Sequence, residues 1–207
     1  MTNVFQTGSF KTYAESGIQG RRADGGTRRR KRRRGEPEGY YISSGWWIVW
    51  FPADTMPKEA KAAVIELCGD LPGPGEVFKA IKDMGNQYEI EQKEVYNLPD
   101  AFKKCDCRFN VTKLLGQQGD KVIRFIQEDG STRHVTAISE IFMDLIDPAA
   151  VDYDNGEYEP FGPVALCPTS PFMYWGNNQC YLMAGVRTAE EGEEADFWKF
   201  LEGTEIL

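Results

Sequence analysis

Most hydrophobic positions along this chain fall in short β-branched and aromatic runs separated by turn residues, a pattern typical of β-strands. The first run, residues 40–51, predicts one strand that is buried on both faces in its second half and ends at Pro52. Two turn signals, Asp129-Gly130 and residues 176–179, each predict a hairpin. Further strands are predicted at residues 87–96, 105–112, 121–128, 132–138, 164–167, 172–175 and 180–186.

Helical spacing of apolar residues is clearest in one segment in the first half of the chain. Residues 57–68 predict a helix with Thr55 as its N-cap and Gly69 as its C-terminal stop. A shorter helix is predicted at residues 76–84, where Val77, Ile81 and Met84 fall on one side. The apolar stripe of the longer helix comprises Ala60, Val64, Leu67 and Cys68.

The end of the chain predicts a further helix over residues 188–201. Thr188 and Glu191 form a capping box at its start. Residues 138–146 fit either a short helix or another strand, and residues 147–163 predict a long acidic loop. The residues of the final helix expected to face the core are Phe197, Trp198 and Leu201.

The predicted elements favour a β-rich α+β fold with a mainly antiparallel sheet. Most neighbouring strands are linked as hairpins, and regular βαβ alternation is absent. Hydrophobic residues make up 41% of the 207 positions, which is enough for the core of one domain. We therefore expect a flexible arm, residues 1–39, before a single acidic globular domain, residues 40–207.

The sequence also bears on the compartment. No apolar run reaches the roughly 18 residues that cross a bilayer, and residues 1–18 lack the apolar core of a secretory signal. The cysteines number five, an odd count that indicates reduced thiols rather than a disulfide framework. We expect a cytoplasmic or nuclear protein that is not secreted and has no membrane partner.

The formal net charge of −8 conceals a separation of opposite charges along the chain. Between residues 21 and 34 there are nine basic residues and one acid, a net +8, while residues 1–20 are neutral. Residues 35–207 therefore carry −16. A segment so densely charged cannot bury a core, which is why a flexible arm is expected. The basic positions are Arg21, Arg22, Arg28, Arg29, Arg30, Lys31, Arg32, Arg33 and Arg34.

These nine basic residues are predicted to bind the phosphate backbone of RNA or DNA. Each guanidinium can contact two phosphate oxygens, and binding releases condensed counterions without reading the base sequence. Residues 30–33 also satisfy the pattern of a nuclear localisation signal. Two other interpretations are a solvated charge run with no partner and an arm that folds onto the acidic body as an autoinhibitory cover.

A basic arm joined to one β-rich domain resembles, in its architecture, the coat proteins of small icosahedral RNA viruses. The stretch that carries the resemblance is 28–34, seven consecutive cations. The resemblance implies that the arm neutralises a packaged genome, that a jelly-roll sandwich builds the shell and that the chain forms a homo-oligomer. The helices predicted at 57–68 and 188–201 and the acidity of the body depart from this pattern.

Other functions fit the same charges. A non-capsid accessory protein of a virus or mobile element, such as a silencing suppressor or nuclear-targeted regulator, would use the same arm. The acidic body could instead inhibit a host defence protein by mimicking nucleic-acid charge. An enzyme is not expected, because no nucleophile elbow, phosphate-binding loop or zinc-protease motif is present. A pairing of His134 with Ser131 or a cysteine stays open.

No cofactor is expected, although two weak metal sites are considered. Ca²⁺ could bind at subunit contacts to Asp152, Asp154 and Glu157, which lack the twelve-residue loop pattern. Zinc could bind Cys105 and Cys107 with a residue such as His134, Cys167 or Cys180, but the usual pairs spaced by two to four residues are absent. We interpret the cysteines as small core residues.

Aromatic residues offer a second way to contact nucleic acid, because nucleobases stack on aromatic rings. The candidates lie in apolar runs, and such positions are more typical of a hydrophobic core. They are Trp46, Trp47, Trp50, Tyr174 and Trp175.

Overall fold

The computed structural model describes residues 25–29, 39–43, 46–73, 76–81, 85–89, 97–143, 161–176, 180–189 and 192–206. The strands in these ranges are β1 (Gly25–Arg29), β2 (Gly39–Ser43), β3 (Trp47–Pro52), β4 (Val77–Ile81), β5 (Gly85–Glu89), β6 (Cys107–Gln118), β7 (Lys121–Glu128), β8 (Val135–Ser139), β9 (Phe161–Ala165), β10 (Phe172–Gly176) and β11 (Tyr181–Gly185). The helices are α1 (Lys58–Cys68), α2 (Leu98–Phe102), α3 (Glu140–Met143) and α4 (Glu193–Glu202).

All the described strands belong to one sheet in the order β5-β4-β1-β2-β3-β11-β10-β9-β6-β7-β8. Every pair of neighbours in this order is antiparallel. The predicted β-rich α+β fold with a mainly antiparallel sheet is therefore confirmed. A jelly roll divides its strands between two packed sheets. The described strands form one continuous ladder instead, so the jelly roll is not confirmed.

One end of the sheet folds back to meet its middle. The backbone N–H of Arg187, two residues beyond β11, donates to the carbonyl oxygen of Ala137 in β8 at 2.7 Å. The N–H of Ala137 donates in return to the carbonyl oxygen of Arg187 at 3.2 Å. The strands β11, β10, β9, β6, β7 and β8 thus form a ring closed by one bridge, which pairs the backbone of Ala137 on the outer edge of β8.

Helices α1 and α2 belong to different core clusters, formed by alternate residues of the same strands. The first cluster joins α1 to β2 and β3 through Ala60, Val64, Ile42 and Phe51. The second joins Leu98 of α2 to buried aromatic side chains, namely Tyr41, Trp50 and Tyr174. Alternation of the aromatic run 40–51 between two cores explains why nearly all of it is apolar.

Helix α4 packs on β7 and β8 and forms a third cluster. Trp198 and Leu201 are buried against Ile123, Phe125 and Val135. The Phe125 and Trp198 rings meet edge to face with centroids 5.1 Å apart, a favoured aromatic geometry. Trp198 and Leu201 therefore face the core as predicted, whereas the side chain of Phe197 is 46% exposed.

The prediction of one strand over residues 40–51 is wrong. The structure has two strands there, because β2 and β3 pair as an antiparallel hairpin in which Tyr40 opposes Phe51 and Ser43 opposes Ile48. The chain reverses between Ser43 and Trp47, where serine and glycine are typical turn residues. The aromatic run on both sides of the turn conceals it in the hydrophobic pattern.

The helix predicted at residues 76–84 is also wrong, because β4 occupies most of that segment. Strand β4 pairs with β1 on one side and β5 on the other, so that Phe78 opposes both Thr27 and Tyr88. Both rows of backbone polar groups are satisfied by these neighbours. Short apolar segments fit a helix or a strand equally, and here strand pairing decides between them.

The predicted helix starts also differ from the structure. Helix α1 has Pro57 as its N-cap without a side-chain bond, and the Thr55 hydroxyl donates instead to the carbonyl oxygen of Pro52. Helix α4 begins after Gly192, so Thr188 is not its cap, while Glu191 lies outside the described residues. The C-terminal stop at Gly69 is confirmed, because this residue has a left-handed backbone with φ of 87°.

The second half of the chain follows its predicted hairpins. Strand β7 has the predicted bounds and pairs with β8 across Asp129-Gly130, and β10 pairs with β11 across residues 176–179. Residues 90–96 of the strand predicted at 87–96, and most of the acidic loop predicted at 147–163, lie outside the described residues. Residues 138–143 supply the end of β8 and the short helix α3, and the rest of that predicted segment lies outside the described residues.

Candidate nucleic-acid interface

Two of the nine predicted phosphate-binding residues, Arg28 and Arg29, lie in β1. That strand is inserted between β2 and β4, where Arg28 is the register partner of Tyr41 and Val77. For residues 25–29, the structure therefore differs from the predicted flexible arm. The remaining basic candidates lie outside the described residues: Arg21, Arg22, Arg30, Lys31, Arg32, Arg33 and Arg34.

The pairing of β1 with β2 changes how the cations are attached to the protein. Arg29 is the register partner of Tyr40, and the next residue toward the chain's start in β2 is Gly39. Residues 30–38 therefore connect the ends of two neighbouring strands. The run of seven cations begins inside the sheet and is joined to it covalently on both sides, unlike a terminal tail that is attached at one end.

Close packing restricts the residue type at Gly39, the first residue of β2 after this connection. A Cβ atom on Gly39 would lie 2.4 Å from the carbonyl oxygen of Phe51 and 2.5 Å from Nε1 of Trp50. Real Cβ atoms do not approach backbone so closely, so only glycine fits at the first position of β2. The buried indole of Trp50 thus limits the choice of residue at Gly39, five positions after the last cation of the basic run.

The five aromatic candidates differ in their exposure to solvent. Four of them are buried: Trp47, Trp50, Tyr174 and Trp175. Trp46 is 66% exposed and lies just before β3, in the reversal between β2 and β3. This is unusual, because tryptophan is highly buried on average. The favoured core interpretation is confirmed for four residues and is wrong for Trp46.

One cationic side chain, that of Lys121, lies close to the Trp46 ring. The Nζ of Lys121, at the start of β7, is 5.8 Å from the ring centroid, within the range of a cation–π contact. Arg187 donates from Nη1 to Oε1 of Gln118 at 3.0 Å, and Gln118 precedes the same turn as Lys121. Carboxylates are also present, since Gln118 Nε2 donates to Glu194 at 3.1 Å.

Phe172 is an exposed aromatic residue that the sequence analysis treated only as part of a strand. Its side chain is 40% exposed at the start of β10, and its register partner in β11 is Gly185. On the other side of β11, the N–H of Gly185 donates to the carbonyl oxygen of Trp46 at 2.9 Å. The predicted β10–β11 hairpin places a glycine opposite Phe172, and this glycine was the one sign in the sequence that the Phe172 ring is exposed. The hydrogen bond between Gly185 and Trp46 depends on the fold and could not be predicted.

The single histidine makes a contact between secondary-structure elements. Nδ1 of His134 lies 2.7 Å from Oε1 of Glu202 in α4, and this oxygen also accepts from the N–H of Val135. The Thr132 hydroxyl donates to the carboxylate of Glu128. The two contacts to Glu202 attach the β7–β8 hairpin to α4, and they pair His134 with a carboxylate rather than with Ser131.

The five cysteines are free thiols, and Cys68 and Cys180 are buried in the core. Burial raises the pKa of Cys180 well above its ordinary value. Burial, together with the neighbouring Asp106 and Cys107, raises the pKa of Cys105 to about 11. A thiol with a raised pKa stays protonated at neutral pH and is a poor nucleophile or metal ligand.

Among the described residues, which include every cysteine and His134, no three histidine, cysteine or acidic side chains are arranged to hold a metal ion. The calcium candidates Asp152, Asp154 and Glu157 lie outside those residues. No helix in the described part of the chain is both long and apolar enough to cross a bilayer.

Comparison of the chain with protein-family models, curated proteins and solved structures finds no match in any of the three.

Proposed function

We propose that this chain binds RNA or DNA through phosphate contacts of its arginine-rich segment, residues 21–34. The observation that carries the proposal is a run of seven consecutive cations that begins in β1 and continues into the connection to β2. Guanidinium groups form paired hydrogen bonds with phosphate oxygens, and the release of counterions adds a large favourable term. Contacts of this kind give affinity without base specificity.

Attachment to two strands supports the proposal in a second way. A loop held at both ends has fewer conformations than a terminal tail, so less conformational entropy is lost when it binds. The opposite charge of the remainder of the chain, −16 over residues 35–207, disfavours phosphate contacts over most of the body. Binding should therefore be concentrated on the basic segment.

A charge-matched pair of variants tests the proposal. In the first variant the five cations at 30–34 are replaced by serine, which leaves Arg28 and Arg29 in β1 unchanged. The control replaces five exposed lysines of the body by serine: Lys58, Lys103, Lys104, Lys113 and Lys199. Retention on an oligonucleotide column at near-physiological salt should be lost in the first variant and kept in the control. Equal retention of the two variants would remove the basis of the proposal.

For the biological role, we propose genome packaging by a viral coat protein. The support is architectural: a basic segment is joined to an acidic body built on an antiparallel sheet. Purified protein mixed with RNA should form large, uniform particles that dissociate when salt and pH are raised. A discrete monomer or dimer that still binds RNA would favour the alternative, an accessory protein such as a silencing suppressor or nuclear-targeted regulator.

A further inference from the structure

We infer that the sheet face around Trp46 is a second nucleic-acid site, which stacks the unpaired bases of a single strand while the basic segment holds its phosphates. This inference rests on the proposed function and gives it a substrate class, single-stranded RNA or DNA. The site, called here the Trp46 patch, comprises Trp46, Ile48, Phe172, Met183 and Gly185. None of these residues belongs to the arginine-rich segment.

The hydrogen-bond register places the five residues on one face. Gly185 in β11 is the partner of Phe172 in β10 and bonds to Trp46, while Met183 is the partner of Ile48. Antiparallel partners project from the same side of a sheet, as do alternate residues of one strand. A Cβ on Gly185 would lie 4.0 Å from the Trp46 ring, so the ring lies on this same side.

Glycine between two aromatic residues leaves an open surface. Phe172 is in β10 and Trp46 directly precedes β3, and these two strands flank β11. At the usual spacing of neighbouring strands, the backbones of the two residues are about 10 Å apart. The side chains of Trp46 and Phe172 are exposed, and Ile48 and Met183 beside them are only half-buried. β-sheet RNA-binding modules use aromatic residues on a sheet face to stack two or three bases.

One cation lies directly against the patch and favours an anionic ligand with flat rings over an apolar protein partner. Lys121 lies against the Trp46 ring, where it can contact a phosphate next to a stacked base. The patch and the basic segment are at opposite ends of the β2–β3 hairpin, about 15–20 Å apart along the strands. A single strand of roughly 16 nucleotides or fewer is long enough to contact both.

The test compares two labelled 16-nucleotide probes by fluorescence anisotropy. One carries thymine at every position, and the other has the same sugar-phosphate backbone without bases. The protein variants are Trp46→Ala, Phe172→Ala and the conservative Trp46→Phe. The matched control is Phe200→Ala, because the Phe200 ring is 67% exposed on α4, outside the patch. The three substituted side chains are exposed, and melting temperatures verify that each of the four variants folds.

We expect Trp46→Ala and Phe172→Ala each to weaken binding to the thymine probe by about 5- to 150-fold, as for loss of one stacked base. Trp46→Phe should retain most of the affinity, and Phe200→Ala all of it. Binding to the abasic probe, and the slope of affinity against salt, should be the same in every variant. The intrinsic tryptophan fluorescence of the wild type should fall when the thymine probe binds.

The outcomes separate this inference from the proposed function. If the thymine and abasic probes bind equally and Trp46→Ala has no effect, the inference is overturned while phosphate binding by the basic segment stands. If Trp46→Ala weakens binding but the serine variant of residues 30–34 does not, the basic-segment proposal fails and the patch remains. A change of oligomeric state in Trp46→Ala without a change in base binding would identify a protein interface instead.

Discussion

The side-chain amide of Gln127 in β7 holds the backbone of Thr204, with Nε2 2.7 Å from the Thr204 carbonyl oxygen. The same nitrogen donates to the carbonyl oxygen of Leu201 at 3.2 Å, and Oε1 accepts from the N–H of Ile206 at 3.1 Å. Gln127 is buried, so the amide has replaced water with protein partners on both of its ends. The end of the chain is thereby attached to the sheet next to α4.

Replacement of Gln127 by leucine should lower the free energy of unfolding by about 2 kcal/mol, because three hydrogen bonds are lost and their backbone partners become unsatisfied. Urea unfolding measures the change. The control is Gln117→Leu, since Gln117 is exposed and its amide bonds only within its own turn, to Gly119. Equal destabilisation by the two substitutions would contradict the assigned role of Gln127.

The same alanine substitution should have opposite effects at two glycines. Gly39→Ala places a Cβ against the Phe51 carbonyl and the Trp50 ring and should destabilise the protein by about 1–3 kcal/mol. Gly185→Ala meets its nearest neighbour, the Trp46 carbonyl oxygen, at an ordinary 3.6 Å. Alanine there should be neutral or stabilising by about 0.5 kcal/mol, because it restricts the unfolded chain. Thermal unfolding of both variants is the measurement.

Stability should fall when the pH rises above about 9. Burial raises the pKa of Cys105 from 9.0 to about 11, so between these values the unfolded chain releases a proton that the folded protein keeps. The stabilising effect is complete below the unfolded pKa and is lost as pH passes through the folded one. Burial shifts the pKa of Cys180 and Tyr181 in the same direction.

Urea midpoints at pH 8 and pH 10 measure this dependence. Cys105→Ala should reduce the difference between the two midpoints without abolishing it, since Cys180 and Tyr181 still contribute. An unchanged difference in the variant would show that the Cys105 thiol ionises equally easily in the folded and unfolded states.

The affinity of the basic segment for single strands should depend steeply on salt. Each cation that contacts a phosphate contributes roughly 0.7 to the slope of log affinity against log salt concentration. Serial replacement of residues 30–34 by serine should lower the slope by up to this amount per residue. Anisotropy titrations between low and physiological salt give the slopes. A constant slope across the series would show that these residues do not contact phosphates.

Local sequence patterns were sufficient to predict many of the strands and hairpins in the second half of the chain. Strand β7 was predicted with its observed bounds, because a run of β-branched and aromatic residues is followed directly by Asp129-Gly130, a dipeptide that favours a turn. The β10–β11 hairpin was predicted from the same kind of signal. Such features depend on interactions between residues close in sequence, which a single sequence displays. The hydrophobicity of such a strand and the residues of its turn predict the hairpin without reference to any distant part of the chain.

Strand β1 and the Trp46 patch could not be predicted in this way. Strand β1 lies in a segment whose charge indicates a flexible arm, and its pairing depends on β4, far along the chain. Trp46 and Trp47 are adjacent in an apolar run, yet the first is exposed and the second is buried. The position of the β2–β3 turn and its register decide which ring faces the core.

The sequence by itself determined the separation of charge, the fold class and the seven-cation run, because composition and short-range periodicity are properties of the covalent chain. Only the tertiary structure decided that this run continues from a strand, that one tryptophan among five is exposed, and that Phe172 lies across Gly185 from it. The last of these relationships joins residues more than a hundred positions apart. Hydrogen-bond register between strands creates them, and register is a property of the folded sheet.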